Sequence, residues 1–190
     1  MTKLENSNGY NGYIAIAGFK NVKIKDVNGF LERVRREVGE APVQFFDAKL
    51  IAGQQHLYFA ALNALKAFEK KSNISSNLAV EALLYASAQR QIRKAVDTLG
   101  IKQDSSEVAV LIIAEDKHGT DDCLKIVSGL MPGEREDAVL ELTDEKIGGI
   151  RRLFGISDLE IEAKSRRKGL EREALVDLVI EHVALLATQS

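Results

Sequence analysis

Val108-Ala-Val-Leu-Ile-Ile-Ala114 is the stretch that decides the fold of this chain. A continuous apolar run of this length, rich in β-branched side chains, is typical of a short strand that is covered on both faces. Strands of that kind lie inside a sheet rather than at its edge. The sequence therefore predicts a sheet with this run at its centre.

Further strands and several helices are predicted on both sides of that run. Short apolar stretches bounded by polar residues predict strands over 13–19, over 43–51, either as one extended run or with a break at Asp47-Ala48, and over 139–142. Helical spacing and capping residues predict helices over the following ranges. They are 27–39, 54–71, 75–86, 88–99, 121–130, 144–154, a short one from 156, and 170–187.

The order of these elements favours an α+β fold, a mixed α/β sandwich. The elements do not alternate regularly as β, α, β, and the chain has no GxGxxG and no GxxxxGK[ST] pattern, so a doubly wound nucleotide-binding fold is disfavoured. We expect a small, mostly antiparallel sheet of about four strands packed with seven or eight helices. Residues 1–12 are predicted to be a flexible tail and residues 13–190 a single domain.

Composition places the chain among soluble globular proteins. It has 190 residues, of which 45% are hydrophobic and 28% charged, values close to the average for folded domains. The N-terminus lacks an apolar signal core, and a single cysteine, Cys123, agrees with a reducing compartment. These features predict a cytoplasmic protein without a membrane span.

The net charge of −2 hides an asymmetry between the two halves. Residues 1–100 carry a formal charge of +5, and residues 101–190 carry −7. A polyanion should therefore meet the first half of the chain.

The most enzyme-like cluster follows the central strand. Glu115, Asp116, His118, Asp121 and Asp122 offer the oxygen and nitrogen ligands that divalent metals prefer. The same residues are equally explained as a solvated loop in which Asp121 caps the next helix. A metal-dependent hydrolase that uses the segment from Glu115 to Asp122 stays an alternative, but no metal site is predicted.

A basic segment, Arg90-Gln91-Ile-Arg93-Lys94, is the candidate contact for RNA. Arg90 and Lys94 are four residues apart and would share a helical face, with Gln91 and Arg93 beside them, so several donors could hold one phosphate. An ordinary solvated face is the competing interpretation. A second basic cluster, from Lys164 to Lys168, is a further candidate for contact with a phosphate backbone.

The last predicted helix is apolar around most of its circumference. Its apolar positions are Leu175, Leu178, Val179, Val183 and Leu186, and only Asp177, Glu181 and His182 interrupt the run from Ala174 to Ala187. Such a helix needs contacts on two sides. It is either buried in the core of this domain or packed partly against another protein, and on the second interpretation the five apolar residues form that contact.

The segment from residue 43 to residue 101 resembles a known family. Its most specific part is Glu81-Ala-Leu-Leu-Tyr-Ala-Ser87 followed by Arg90-Gln91-Ile92, preceded by the run from Asp47 to Leu57. These residues are similar to the TPRKB-like kinase-binding subunit of the KEOPS complex, in its archaeal type. The resemblance carries Arg90 and Gln91 over as site residues.

The resemblance implies a function without catalysis. KEOPS makes the threonylcarbamoyladenosine modification of tRNA, and the subunit of this type binds a small atypical kinase/ATPase and helps to recruit tRNA through its 3′ CCA end. With this partner implied by the resemblance, the five apolar residues of the last helix are predicted to bind the kinase. No catalytic residue and no cofactor is predicted, and the chain is not expected to be an enzyme. An accessory subunit is favoured over the metal-dependent hydrolase and over a free-standing RNA-binding domain.

Overall fold

A computed structural model describes residues 2–5, 11–165 and 169–188. In these ranges the strands are β1 Thr2–Glu5, β2 Asn11–Lys20, β3 Val43–Asp47, β4 Val108–Ala114 and β5 Glu134–Arg135. The helices are α1 Val27–Val38, α2 Gln54–Glu69, α3 Leu78–Ser87, α4 Ile92–Leu99, α5 Lys117–Leu130, α6 Asp144–Phe154, α7 Asp158–Lys164 and α8 Glu171–Leu185. Short 3-10 helices cover Ala48–Leu50, Asp137–Leu140 and Leu186–Thr188.

The sheet is antiparallel throughout the described residues, in the order β1-β2-β4-β3, with β5 paired to β2. The predicted central strand is confirmed, because β4 lies between β2 and β3 with the predicted bounds. Its residues from Val108 to Ile113 are all buried, as expected for a strand covered on both faces.

Helices cover the two faces of the sheet, which confirms the α+β class. Side chains that alternate along the strands separate into two cores. Phe19, Phe45 and Val110 face α1 and α5. Phe46 and Leu111 face the opposite way, toward α2 and α3, with α8 packed on α2.

A third core lies among α6, α7 and α8. It contains Ile150, Phe154 and Ile161 from the first two helices and Leu175 and Val179 from α8. The last helix is therefore covered by α2 and α3 toward the sheet and by α6 and α7 on another side. Most of its apolar side chains are covered by this chain, and Leu185 is exposed.

Gly18 in β2 permits a close approach of the segment that follows β5. Its amide donates to Asp137 Oδ1 at 2.8 Å, and its carbonyl accepts from the amide of Glu136 at 2.8 Å. A Cβ at this position would lie 2.5 Å from the carbonyl oxygen of Glu136. No larger residue fits here without moving the backbone.

Two predicted elements are wrong. The helix expected to start at Asp121 begins at Lys117, because Asp116 is the N-cap and its carboxylate accepts from the amide of Gly119 at 2.8 Å. Residues 139–142 do not form a strand. Val139 and Leu140 are both buried in a 3-10 helix, whereas a strand would place neighbouring side chains on opposite faces.

The helix predicted over 75–86 begins at Leu78. Asn77 is the N-cap of α3, and its side chain accepts from the amide of Val80 at 3.1 Å. Ser75 lies before it, buried, with its hydroxyl accepting from the amide of Asn77 at 3.2 Å. Ser75 and Asn77 are both residue types that favour the N-cap position, and Asn77 occupies it because it directly precedes the first helical residue.

The predicted tail contains β1, which pairs with the first residues of β2. Residues 1 and 6–10 of that tail lie outside the described residues, so its flexibility stays a prediction. Residues 166–168 of the basic cluster from Lys164 to Lys168 lie outside them as well. In the described part of the chain, no helix combines the length and the apolar character needed to cross a membrane.

Candidate functional site

The candidate site is the corner between α3 and α4. Helix α3 ends at Ser87, Ala88 adopts the left-handed conformation with φ of 49°, and α4 begins at Ile92 with Gln91 at its N-cap position. The four residues predicted to bind RNA lie at this corner, and all of them are exposed. We call this surface the basic corner, and it consists of Arg90, Gln91, Arg93 and Lys94.

The predicted helical pairing of Arg90 with Lys94 is wrong. Arg90 precedes the first residue of α4, so the spacing of four does not place both side chains on one helical face. Arg90 lies close to Tyr85 instead. Burial raises the pKa of the Tyr85 hydroxyl and the charge of Glu81 adds to that effect, whereas the positive charge of Arg90 opposes it.

Apolar surface accompanies the positive charge. Ala95 and Leu99 of α4 are buried against the domain, but Ile92 and Val96 are each 46% exposed. The four residues form the apolar stripe of this helix. Helix α4 packs chiefly on α3, so only one edge of its apolar stripe is covered.

His56 connects the start of α2 to the end of α3. It is fully buried, its Nδ1 accepts from the amide of Ala52 at 3.2 Å, and its Nε2 lies 2.8 Å from the carbonyl oxygen of Ala86. Because Nδ1 accepts, the ring proton is on Nε2, which donates to Ala86. Burial lowers the pKa of His56 to about 4, although the bond to Ala86 acts in the opposite direction. The ring is therefore neutral at pH 7.

Glu81 fixes the loop between α2 and α3. Its carboxylate is fully buried and accepts from the amides of Ile74, at 3.0 and 3.1 Å, and of Ser75, at 2.7 Å. Backbone amides compensate a buried carboxylate without a partner cation. At the other end of α3, the buried hydroxyl of Ser87 donates to the carbonyl of Leu83 at 2.8 Å.

The residues that carry the family resemblance thus divide into two groups. His56, Glu81 and Ser87 are buried and hold α2, α3 and their loop together. Arg90 and Gln91 are exposed on the corner that these buried groups support. Sequence reasoning identified the second group, but missed the role of the first, because partners as distant as Ala86 from His56 leave no local pattern.

The five residues predicted to bind a kinase lie inside the protein. Leu175, Leu178, Val179, Val183 and Leu186 are at most 9% exposed. That prediction assumed that these five side chains form an exposed apolar surface, and they do not. They belong to the core, which is the other interpretation of this helix. Their direct contact with a partner would require α8 to leave its place.

The segment from Glu115 to Asp122 does not assemble a metal site in the described structure. Asp116 caps α5, and His118 Nδ1 pairs with Asp122 at 2.7 Å on the helix surface. No group of three or more His, Cys, Asp or Glu in the described residues could hold a metal ion. Cys123 is buried, and burial raises the pKa of its thiol to about 11.

A groove of about 470 Å³ lies beside the 3-10 helix at Asp137–Leu140, and its lining includes Lys20, Glu107 and Lys146. Lys146 is buried, and its ammonium donates to the carbonyl of Val139. Burial lowers the pKa of Lys146, while Glu107 and other acids act in the opposite direction. Thr143 is the N-cap of α6, so Lys146 occupies the third helical position, where a capping box would have an acid. The bond from Lys146 instead holds the 3-10 helix to α6.

The family model described as kinase binding protein CGI-121 matches residues 19–187. The chain belongs to the CGI-121 family. The match begins in β2 and takes in α1 to α8, so the basic corner and the buried residues that support it lie within the CGI-121 region.

Two relatives of this CGI-121 protein give the resemblance more detail. The regulatory protein Cgi121 of Methanocaldococcus jannaschii is 28% identical over 148 residues, which is 77% of this chain and 92% of that protein. The EKC/KEOPS complex subunit CGI121 of Candida glabrata is 31% identical over 102 residues, 54% of this chain and 55% of that protein.

Proposed function

We propose that this CGI-121 protein is a non-catalytic accessory subunit of a tRNA-modifying KEOPS complex in the cytoplasm. In this role it binds the small atypical kinase/ATPase of the complex and helps to recruit tRNA through its 3′ CCA end. The family description and the names of the two relatives, one a regulatory protein and one a KEOPS subunit, support the first part.

The basic corner is the observation that carries the second part. Three cations of the corner reach solvent beside the half-exposed side chains of Ile92 and Val96. Cations hold phosphates, and apolar surface receives the unstacked bases of a single strand. Buried hydrogen bonds of His56, Glu81 and Ser87 support this surface, so its shape is set before the ligand arrives.

Capture of the kinase tests the accessory role. Co-expressed with the small kinase of the same KEOPS complex, the protein should elute with it from a size-exclusion column as one species. The proposal does not assign the kinase contact to the five buried residues of α8. If the two proteins elute separately at micromolar concentration, the protein acts alone and the free-standing RNA-binding domain replaces the accessory subunit.

Removal of charge from the corner tests the RNA contact. The double variant Arg93→Gln/Lys94→Gln should bind tRNA more weakly, and the slope of log K against log salt should fall by roughly 0.7 for each lost contact to a single strand. Removing the CCA end from the tRNA should abolish most of this difference. Fluorescence anisotropy at several salt concentrations measures both effects.

Lys66→Gln/Lys70→Gln is the matched control, because both lysines are exposed near the end of α2 and neither belongs to the corner. It should leave the slope unchanged. Equal slopes for the wild type and the corner variant would mean that the corner is an ordinary solvated surface.

A further inference from the structure

A second groove lies where the segment after β2 enters α1. It has a volume of about 350 Å³, and its lining includes three cations, Lys23, Lys25 and Arg33, together with Phe30 and Pro132. We call it the α1 groove. The basic corner includes none of its residues.

Local structure places the three cations on the solvent side. Burial alternates along the extended segment, with Val22 and Ile24 buried and Lys23 and Lys25 exposed, so both lysines project outward. Arg33 is one turn beyond the first turn of α1 and is also exposed. Among the described residues, none of the three cations forms an ion pair.

One acidic residue lines the same groove. Asp26 is the N-cap of α1, and its Oδ1 accepts from the amide of Gly29 at 3.0 Å. With the three cations, its charge gives the groove a formal +2. The carboxylate serves the helix and opposes an anionic ligand, so its removal provides a direct test of what the groove attracts.

The loop after α4 connects the helix that begins at the basic corner to the α1 groove. Helix α4 has eight residues, which corresponds to about 12 Å of rise. The loop after α4 runs directly to the groove, because the Gln103 side chain donates to the carbonyl of Lys25 at 2.8 Å. Lys102, which is exposed, adds a cation between the two surfaces, and Asp104 adds an anion.

We propose that the α1 groove binds the phosphate backbone of an RNA duplex whose single-stranded 3′ end lies at the basic corner. This inference rests on the proposed function and extends it to a second contact. Unpaired lysines and an arginine around a shallow groove suit a row of phosphates, which are read without regard to base sequence. The contact of Gln103 with Lys25 links the groove to the helix that carries the corner, and this link favours RNA over an acidic protein segment.

The triple variant Lys23→Gln/Lys25→Gln/Arg33→Gln tests the groove with two probes, tRNA that lacks its CCA end and a short blunt RNA duplex. Both should bind the variant more weakly, roughly tenfold or more at low salt, with the salt slope reduced by roughly 0.9 for each lost contact to a duplex. The corner variant Arg93→Gln/Lys94→Gln should change binding of these two probes little.

Single variants on α1 give a matched comparison. Arg33→Gln and Arg35→Gln remove the same charge from the same helix, but Arg35 does not line the groove. Only the first should weaken duplex binding. Asp26→Asn should strengthen duplex binding several-fold with an unchanged melting temperature, because asparagine caps a helix as well as aspartate does.

The outcomes separate the two proposals. If the wild type binds no tRNA with or without the CCA end, the proposed function and this inference both fail. If the wild type binds tRNA in a CCA-dependent way while the triple variant and Asp26→Asn bind all probes like the wild type, the corner stands and the groove is overturned. Weakening by Arg35→Gln equal to that by Arg33→Gln would also overturn it, since the effect would then be one of net charge.

Discussion

Replacement of Val179 by glutamate is expected to prevent the protein from folding. Val179 has no exposed surface and packs in the core among Ala52, Ile150 and Phe154. A carboxylate there would be buried without a partner, at a cost of several kcal/mol, against a total stability of about 5–15 kcal/mol for a typical domain. Insoluble protein, or loss of the cooperative thermal transition in circular dichroism, is the expected result.

Leu185→Glu is the control on the same helix. Leu185 is 52% exposed, so the same carboxylate would remain in water and the melting temperature should stay near that of the wild type. A soluble Val179→Glu protein that melts normally and no longer captures the kinase would contradict the internal position of α8. It would restore the buried face of the helix as the kinase surface.

Helix α8 shows what periodicity can and cannot reveal. The near-absence of polar residues between Ala174 and Ala187 correctly indicates contacts on more than one side. The pattern carries no information about whether the second contact comes from the same chain. Here α6 and α7 supply it through Ile150, Phe154 and Ile161, which are separated from α8 by turns that the sequence does not orient.

The sheet was more predictable because its signals are local. The bounds of β4 followed from seven consecutive apolar residues. The pattern over 43–51 allowed one extended run or a break at Asp47-Ala48, and the structure has a 3-10 helix at the break. The start of α5 was missed because Gly119 and Thr120, which are weak helix formers, occupy its first turn. Two acids, Asp116 and Asp121, each fit the rule for an N-cap.

The candidate site was predicted in composition but not in geometry. Exposure of Arg90, Gln91, Arg93 and Lys94 followed from their charge and polarity, whereas the place of Arg90 depends on the left-handed Ala88 that ends α3. A non-glycine residue in that conformation is uncommon. The packing of α3 against α4 determines this turn, and no residue type in the segment predicts it.

The pH dependence of stability is expected to report on His56. In the unfolded chain a histidine has a pKa near its ordinary value of 6.5, and in the folded protein burial lowers the pKa of His56 to about 4. Between these values the unfolded state binds a proton that the folded state does not. The contribution of His56 to the free energy of unfolding is therefore fully present above pH 6.5 and decreases as the pH falls toward 4. Below pH 4 it decreases no further.

The slope for one proton is about 1.4 kcal/mol per pH unit, so the wild type should lose about 2 kcal/mol between pH 7 and pH 5 through His56 alone. His56→Gln keeps a donor and an acceptor on one side chain but does not titrate, and it should be less stable at pH 7 because its amide matches the geometry of Ala52 and Ala86 less well. Urea unfolding of both proteins at the two pH values separates the effects, since the other titratable groups are common to both. The stability difference between them should shrink by about 2 kcal/mol at pH 5. A constant difference would mean that His56 takes up its proton equally in the folded and unfolded states, and its ring would then be open to solvent rather than holding the carbonyl of Ala86 beneath the basic corner.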